Sequence, residues 1–138
     1  MSRGGVVLVD SNVFIHLLRR GRDPRPILDA WIGGGDLATC GMVRLEVERG
    51  LKAPRLKERL GAYFDVLLYA PTPNHLWERA TELAWQLDRR GINLPAQDIV
   101  IASAARAIGA AVLTDDGHFE EIPGCTVFRA ARELEADW

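Results

Sequence analysis

The chain has 138 residues, of which 48% are hydrophobic and 26% charged. That is the balance of one globular domain with a core of its own, and it excludes a disordered tail, which lacks apolar surface to offset the entropy of ordering. Nineteen acids against seventeen bases give a net charge of −2, so no global positive field draws in nucleic acid. An acidic pit inside a basic rim would still average to nearly neutral. No apolar run reaches the ~20 residues of a membrane helix. Met1–Gly5 runs straight into a strand-like segment with no small-residue cleavage site, so a cytoplasmic location is expected. Cys40 and Cys125 are the two cysteines. They lack CxxC spacing, which argues against zinc and against a disulfide scaffold, and both are read as small buried hydrophobes in strands.

Val6-Val7-Leu8-Val9-Asp10 is a continuous apolar run ending in a charge. Unbroken apolarity suggests a strand covered on both faces, as in a parallel sheet. Ser11 to Arg20 reads as a helix capped by Ser11 or Asp10. Pro26 opens a short helix through Trp31, and Gly33-Gly34-Gly35 is a turn. Leu37 to Cys40 is a second strand and Met42 to Leu51 a helix. Pro54 starts another, with Leu56, Leu60, Phe64 and Leu67 at helical spacing, ending in a strand-like Val66–Ala70. Asn74 caps a long helix to Arg90, with Leu76, Ala80, Leu83, Ala84 and Leu87 inward, and Gly91 stops it. Pro95 begins a very apolar helix to about Ile108. Ala111–Thr114 is a third strand and Cys125–Phe128 a short last one. Strands alternating with helices predict an α/β sheet in parallel order, with the whole of 1–138 as one domain.

Acids fall at consistent places in this scheme. Asp10 ends the first strand, and open α/β sheets bind ligands beyond the carboxyl ends of strands; a plain helix cap is the simpler alternative. Asp98 shares a helix face with Ile101, Ala102 and Ala105, where a carboxylate is costly unless something binds it, although a first-turn acid also suits the helix dipole. Glu46 clusters with Val43, Val47 and Gly50, whose missing side chain leaves room for a neighbour, while Arg44 and Glu48 face elsewhere. Asp115 and Asp116 follow the third strand, where Asp-Asp-Gly is also good turn chemistry. Clustered carboxylates protonate or splay without a cation, and oxygen ligands suit Mg²⁺ or Mn²⁺ rather than zinc. His16 and His75 are read as structural, and His118, two residues after Asp116, as a residue within reach of substrate.

Four blocks, Val7-Leu8-Val9-Asp10-Ser11-Asn12, Arg44-Leu45-Glu46-Val47-Glu48-Arg49-Gly50, Leu94-Pro95-Ala96-Gln97-Asp98-Ile99-Val100-Ile101-Ala102-Ser103-Ala104 and Val112-Leu113-Thr114-Asp115-Asp116-Gly117-His118-Phe119, resemble in order and spacing the PIN domain. They resemble most the small toxin ribonucleases of VapBC toxin–antitoxin modules. The resemblance implies a three-layer sandwich with a central parallel sheet of about five strands flanked by helices. It implies an endoribonuclease dependent on Mg²⁺ or Mn²⁺, with Asp10, Glu46, Asp98 and Asp116 as its acids, Asp115 as an auxiliary, and Ser11, Asn12 and Thr114 supporting them by hydrogen bonds. It further implies a cognate VapB-like antitoxin and a homodimer; the apolar residues of 56–68 and Trp77 suit either contact.

Metal-activated water attacking phosphorus predicts 5′-phosphate and 3′-hydroxyl ends. Arg19, Arg20, Arg22 and Arg25 follow the first helix and are candidates for holding RNA phosphates, with Lys52, Arg55, Lys57 and Arg59 as a second basic group. There is no RNA-recognition aromatic motif, and Trp31, Trp77 and Trp85 are read as core or interface. A PIN fold that binds RNA or a partner without cutting is the alternative. A phosphatase or phosphoacceptor domain would want a second acid two residues after Asp10, where Asn12 stands. A structure-specific DNA nuclease would need additions that a chain of this length lacks.

Overall fold

A computed structural model describes residues 5–138. The expectation about the N-terminal leader falls on residues outside that range. The strands are β1 (Val6–Val9), β2 (Asp36–Cys40), β3 (Leu68–Ala70), β4 (Ala111–Thr114) and β5 (Val127–Arg129). They form one five-stranded sheet in the order β3-β2-β1-β4-β5. Every neighbouring pair is parallel, with Val7 opposite Leu37 on one side and Ala111 on the other. Successive strand side chains point to opposite faces. Val7, Leu8 and Val9 are nonetheless all buried, so helices cover both faces of β1. This is the three-layer α/β sandwich that the sequence resemblance implies.

The helices are α1 (Ser11–Arg19), α2 (Pro24–Ile32), α3 (Gly41–Arg49), α4 (Pro54–Val66), α5 (Asn74–Arg89), α6 (Ala96–Ala107) and α7 (Ala130–Glu133). Their starts follow local chemistry. Asp10 caps α1 through the Ser11 N–H, Asp23 caps α2 through the Arg25 N–H, and prolines open α2 and α4 at positions where no donor is lost. Gly91 takes φ 78° just past α5, a left-handed turn that glycine adopts without strain. In α6 every residue from Asp98 to Ala105 is buried. The helix is apolar all round because it packs against α5, α3, β3 and β4 at once.

Several expectations shift in detail. Asn74 does not cap α5; Pro73 holds that position, and its carbonyl accepts from Leu76 and Trp77. The second helix begins at Pro24, because Asp23 supplies the cap. Cys125 precedes β5 and is only partly buried, whereas Cys40 ends β2 in the core. Trp77 and Trp85 are exposed, whereas Trp31 packs inward, edge-on to Phe128. The 3-10 turn at Gly117–Glu121 and the short α7 were not anticipated. No described helix is long and apolar enough to cross a membrane.

Candidate active site

The chain winds outward from β1 through β2 to β3, then returns to β4 on the other side of β1. The crevice between the carboxyl ends of β1 and β4 is therefore the switch point where open α/β sheets place their ligands. Asp10 follows β1 there, and Thr114 ends β4 with Asp115 and Asp116 just beyond. Helix α3 brings Glu46 and the first turn of α6 brings Asp98 to the same crevice, a cleft of about 730 Å³ lined by Asp10, Glu46, Asp98, Asp115 and Asp116 among others.

A hydrogen-bond network fixes the acids. The Asp10 carboxylate, 3% exposed, accepts from the Ser11 N–H and the Thr114 hydroxyl, each at 2.8 Å. Thr114 Oγ1 accepts in turn from the Asp116 N–H at 3.0 Å and Asn12 Nδ2 at 3.3 Å, and Asn12 Oδ1 accepts from the Asp115 N–H at 3.3 Å. Asn12 and Thr114 thus bind the ends of β1 and β4 to one another. The Ser11 hydroxyl donates to Glu46 Oε1 at 3.0 Å, which joins α3 to the site. His118 Nδ1 lies 2.8 Å from Asp98 Oδ2 and 3.0 Å from Asp116 Oδ1. The 3-10 turn that presents His118 is capped by Asp116, which accepts the His118 N–H at 2.9 Å.

Burial, reinforced by the charges of Asp98 and Glu46, pushes the Asp10 carboxyl up to about 6, against the opposing bonds from Thr114 and Ser11. Burial also raises Asp98, with the Asp116 charge adding and the His118 bond opposing. His118 is raised by its bond to Asp98 and by the Asp116 charge. The cleft thus concentrates negative charge, and a cation there relieves it. Ligand atoms of Asp98, Asp116 and His118 lie within 4.8 Å of one another, a grouping able to hold a metal ion.

All the predicted acids and their three supporting residues are brought together around this crevice. The arginines separate. Arg19 and Arg20 line the cleft, whereas Arg22 pairs with Asp137 at 3.4 Å and Arg25 with Asp23 at 2.8 Å. Gly50 is not a point of close approach, since a Cβ there would meet only backbone oxygens of its own helix. His75 is exposed in the first turn of α5. Sequence reasoning missed His16, which lies one helical turn beyond Asn12 and lines the cleft, and Trp138, which lines it beside His16. The spacing of Asn12 and His16 was a signal for the first; nothing local signalled the second.

The PIN domain matches residues 7–124, and the chain belongs to the PIN-domain family. Within that family it is VapC-like. It is 34% identical over 95 residues to ribonuclease VapC21 of Mycobacterium tuberculosis, covering 67% of this chain and 69% of that one. In fold it is similar to VapBC2 of Rickettsia felis, with a TM-score of 0.75, 19% identity and coverage of 90% of this chain and 98% of the other. A toxin–antitoxin complex from Klebsiella pneumoniae gives a TM-score of 0.67 at 24% identity, over 88% of this chain and 95% of the other.

Proposed function

We propose that the protein is a metal-dependent endoribonuclease, the toxin of a VapBC-like toxin–antitoxin pair, and that residues 1–138 form its single PIN domain. The observation that carries this is the gathering of Asp10, Glu46, Asp98 and Asp116 around one crevice at the switch point of the sheet, with Asp10 and Asp98 buried in it. The donors are carboxylate oxygens, which suit Mg²⁺ or Mn²⁺, and burial raises Asp10 and Asp98, a cost that a bound cation would offset. The residues present therefore fit a divalent cation. Asp10, Asp98 and Asp116 would hold it, with Glu46 directly or through water and Asp115 as an auxiliary. Such an ion supplies charge neutralisation at the phosphate and lowers the pKa of a water so that it can attack phosphorus.

The chain's own groups do the rest. Thr114 and Ser11 hold the Asp10 and Glu46 carboxylates in place by donating to them. Asn12 locks the β1 and β4 ends, so the acids of both strands keep a fixed separation. His118 orients Asp98 and Asp116 through Nδ1. Arg19 and Arg20, exposed at the rim, bind the phosphates on either side of the cut.

The relatives named above are a ribonuclease VapC21, a VapBC2 and a toxin–antitoxin complex, which supports a cognate VapB-like antitoxin as partner. The exposed apolar side chains Leu45, Val66, Leu68, Tyr69 and Trp77 are candidates for contact with that antitoxin or with a second copy in a homodimer. We place the protein in the cytoplasm, where its RNA substrates are.

The test is cleavage of a defined structured RNA with Mg²⁺, Mn²⁺ or EDTA, by wild type and Asp98→Asn side by side. Cutting that needs metal, fails in the variant and leaves 5′-phosphate and 3′-hydroxyl ends supports the reading. A 2′,3′-cyclic phosphate product would overturn the mechanism, since the ribose hydroxyl would then be the nucleophile. Equal cutting by both proteins would remove the site assignment.

A further inference from the structure

On one wall of the acidic cleft the Trp138 indole lies face to face with the His16 imidazole, ring centroids 3.7 Å apart and planes 5° from parallel. His16 Nε2–H donates to the Trp138 carbonyl at 3.3 Å. The Trp138 backbone N–H donates to the Leu134 carbonyl at 2.8 Å, and the Arg22–Asp137 ion pair ties the neighbouring residue to the turn after α1. These contacts hold the backbone that carries the indole against α1 and α7. Both rings line the same cleft as Asp10, Asn12, Arg19 and Arg20. Neither ring is fully buried, and neither has a part in holding the acids.

A large apolar surface beside a cluster of carboxylates does nothing for cation binding. It is the feature single-stranded nucleic acid requires, because every unpaired base has a π-face to stack, while basic side chains alongside follow the phosphates. Arg19 and Arg20 stand in that position, at the end of the helix that carries His16. Bases within a duplex have both faces covered by their neighbours and cannot use such a surface; bases in loops and single strands can.

We propose that the Trp138–His16 stack is a base-binding subsite. It receives the face of one unpaired nucleobase flanking the phosphate held at the carboxylates. This inference rests on the ribonuclease reading of the same cleft. His16 backs the indole and fixes its plane; Trp138 is the residue that touches the base.

The experiment measures binding of a short fluorescent oligouridylate, by anisotropy, to Asp98→Asn protein carrying Trp138 as Trp, Phe, Leu or Ala. An abasic oligomer of the same length serves as the control, and thermal melts verify folding. Losing one base–aromatic stack should weaken oligouridylate binding by about tenfold in Trp138→Leu and Trp138→Ala. Trp138→Phe should bind nearly as well as the parent. Binding of the abasic strand should be the same in all four. Leucine preserves apolar packing, so equal binding by the Leu and Trp proteins overturns the subsite, as does tighter binding on truncation, which would make the indole an obstruction. Cleavage by the protein without the Asp98 change, run in parallel, separates the two readings. RNA cutting that is insensitive to Trp138 removes the subsite alone; absence of both cutting and binding removes the ribonuclease reading with it.

Discussion

Asp10 carries a carboxylate at a place where burial favours its neutral form. Its carboxyl stands at about 6 against an ordinary 3.8, so the folded protein binds more protons than the unfolded chain between those values. Stability of the metal-free protein should therefore fall as pH rises from about 4 through about 6, by roughly 3 kcal/mol in all. Melting curves in EDTA should show this slope in the wild type and lose most of it in Asp10→Asn. At neutral pH, Mn²⁺ should raise the melting temperature in a concentration-dependent way, since it binds only the folded form. Thr114→Val offers a finer test. The variant keeps the shape of the side chain but removes the donor to Asp10 and the acceptor for the Asp116 N–H. It should weaken Mn²⁺ binding by ~10–100-fold, measured by titration, with Asp10 itself untouched. Residues of this kind were legible in the sequence because their placement is local: a strand end for Asp10 and Asp116, a first helical turn for Asp98, a helix phase for Glu46. Trp138 was not legible, because its contact with His16 spans 122 positions and no periodicity records it.

Regular elements came through the sequence well wherever apolar periodicity and breakers agreed, as in α5, which ends at its expected glycine, and β4, whose limits match. The misses are elements held by tertiary contacts. The 3-10 turn at Gly117–Glu121 reads as a loop in sequence; it is fixed by the Asp116 cap and by Phe119, whose side chain is fully buried. Phe119→Ala should cost about 3–5 kcal/mol of stability. It should also loosen His118 and Asp116, which belong to the same turn. Leu87→Ala in α5, a buried site remote from the cleft, should destabilise by about 2–5 kcal/mol yet leave metal-dependent cutting intact below its melting point. Comparing the two by denaturant titration and by cleavage at low temperature separates the turn's part in the site from its part in the core.

Across the whole molecule the charges nearly cancel, and the informative quantity is where they lie. The sequence offered Arg19, Arg20, Arg22 and Arg25 as one group, because adjacency cannot show that Arg22 and Arg25 have acidic partners in Asp137 and Asp23. RNA binding should weaken with salt, and the slope should shrink by about one unit when Arg19 or Arg20 is replaced by Ala. Replacing Arg25 should leave the slope unchanged. The sheet order carries one more consequence. Asp10 is hydrogen-bonded to a threonine 104 positions later in the chain, so the acids of β1 and β4 meet only after everything between them has been made. A nascent chain that has reached only β3 does not yet have this crevice. On the proposed ribonuclease reading, the topology keeps a partly made chain from cutting.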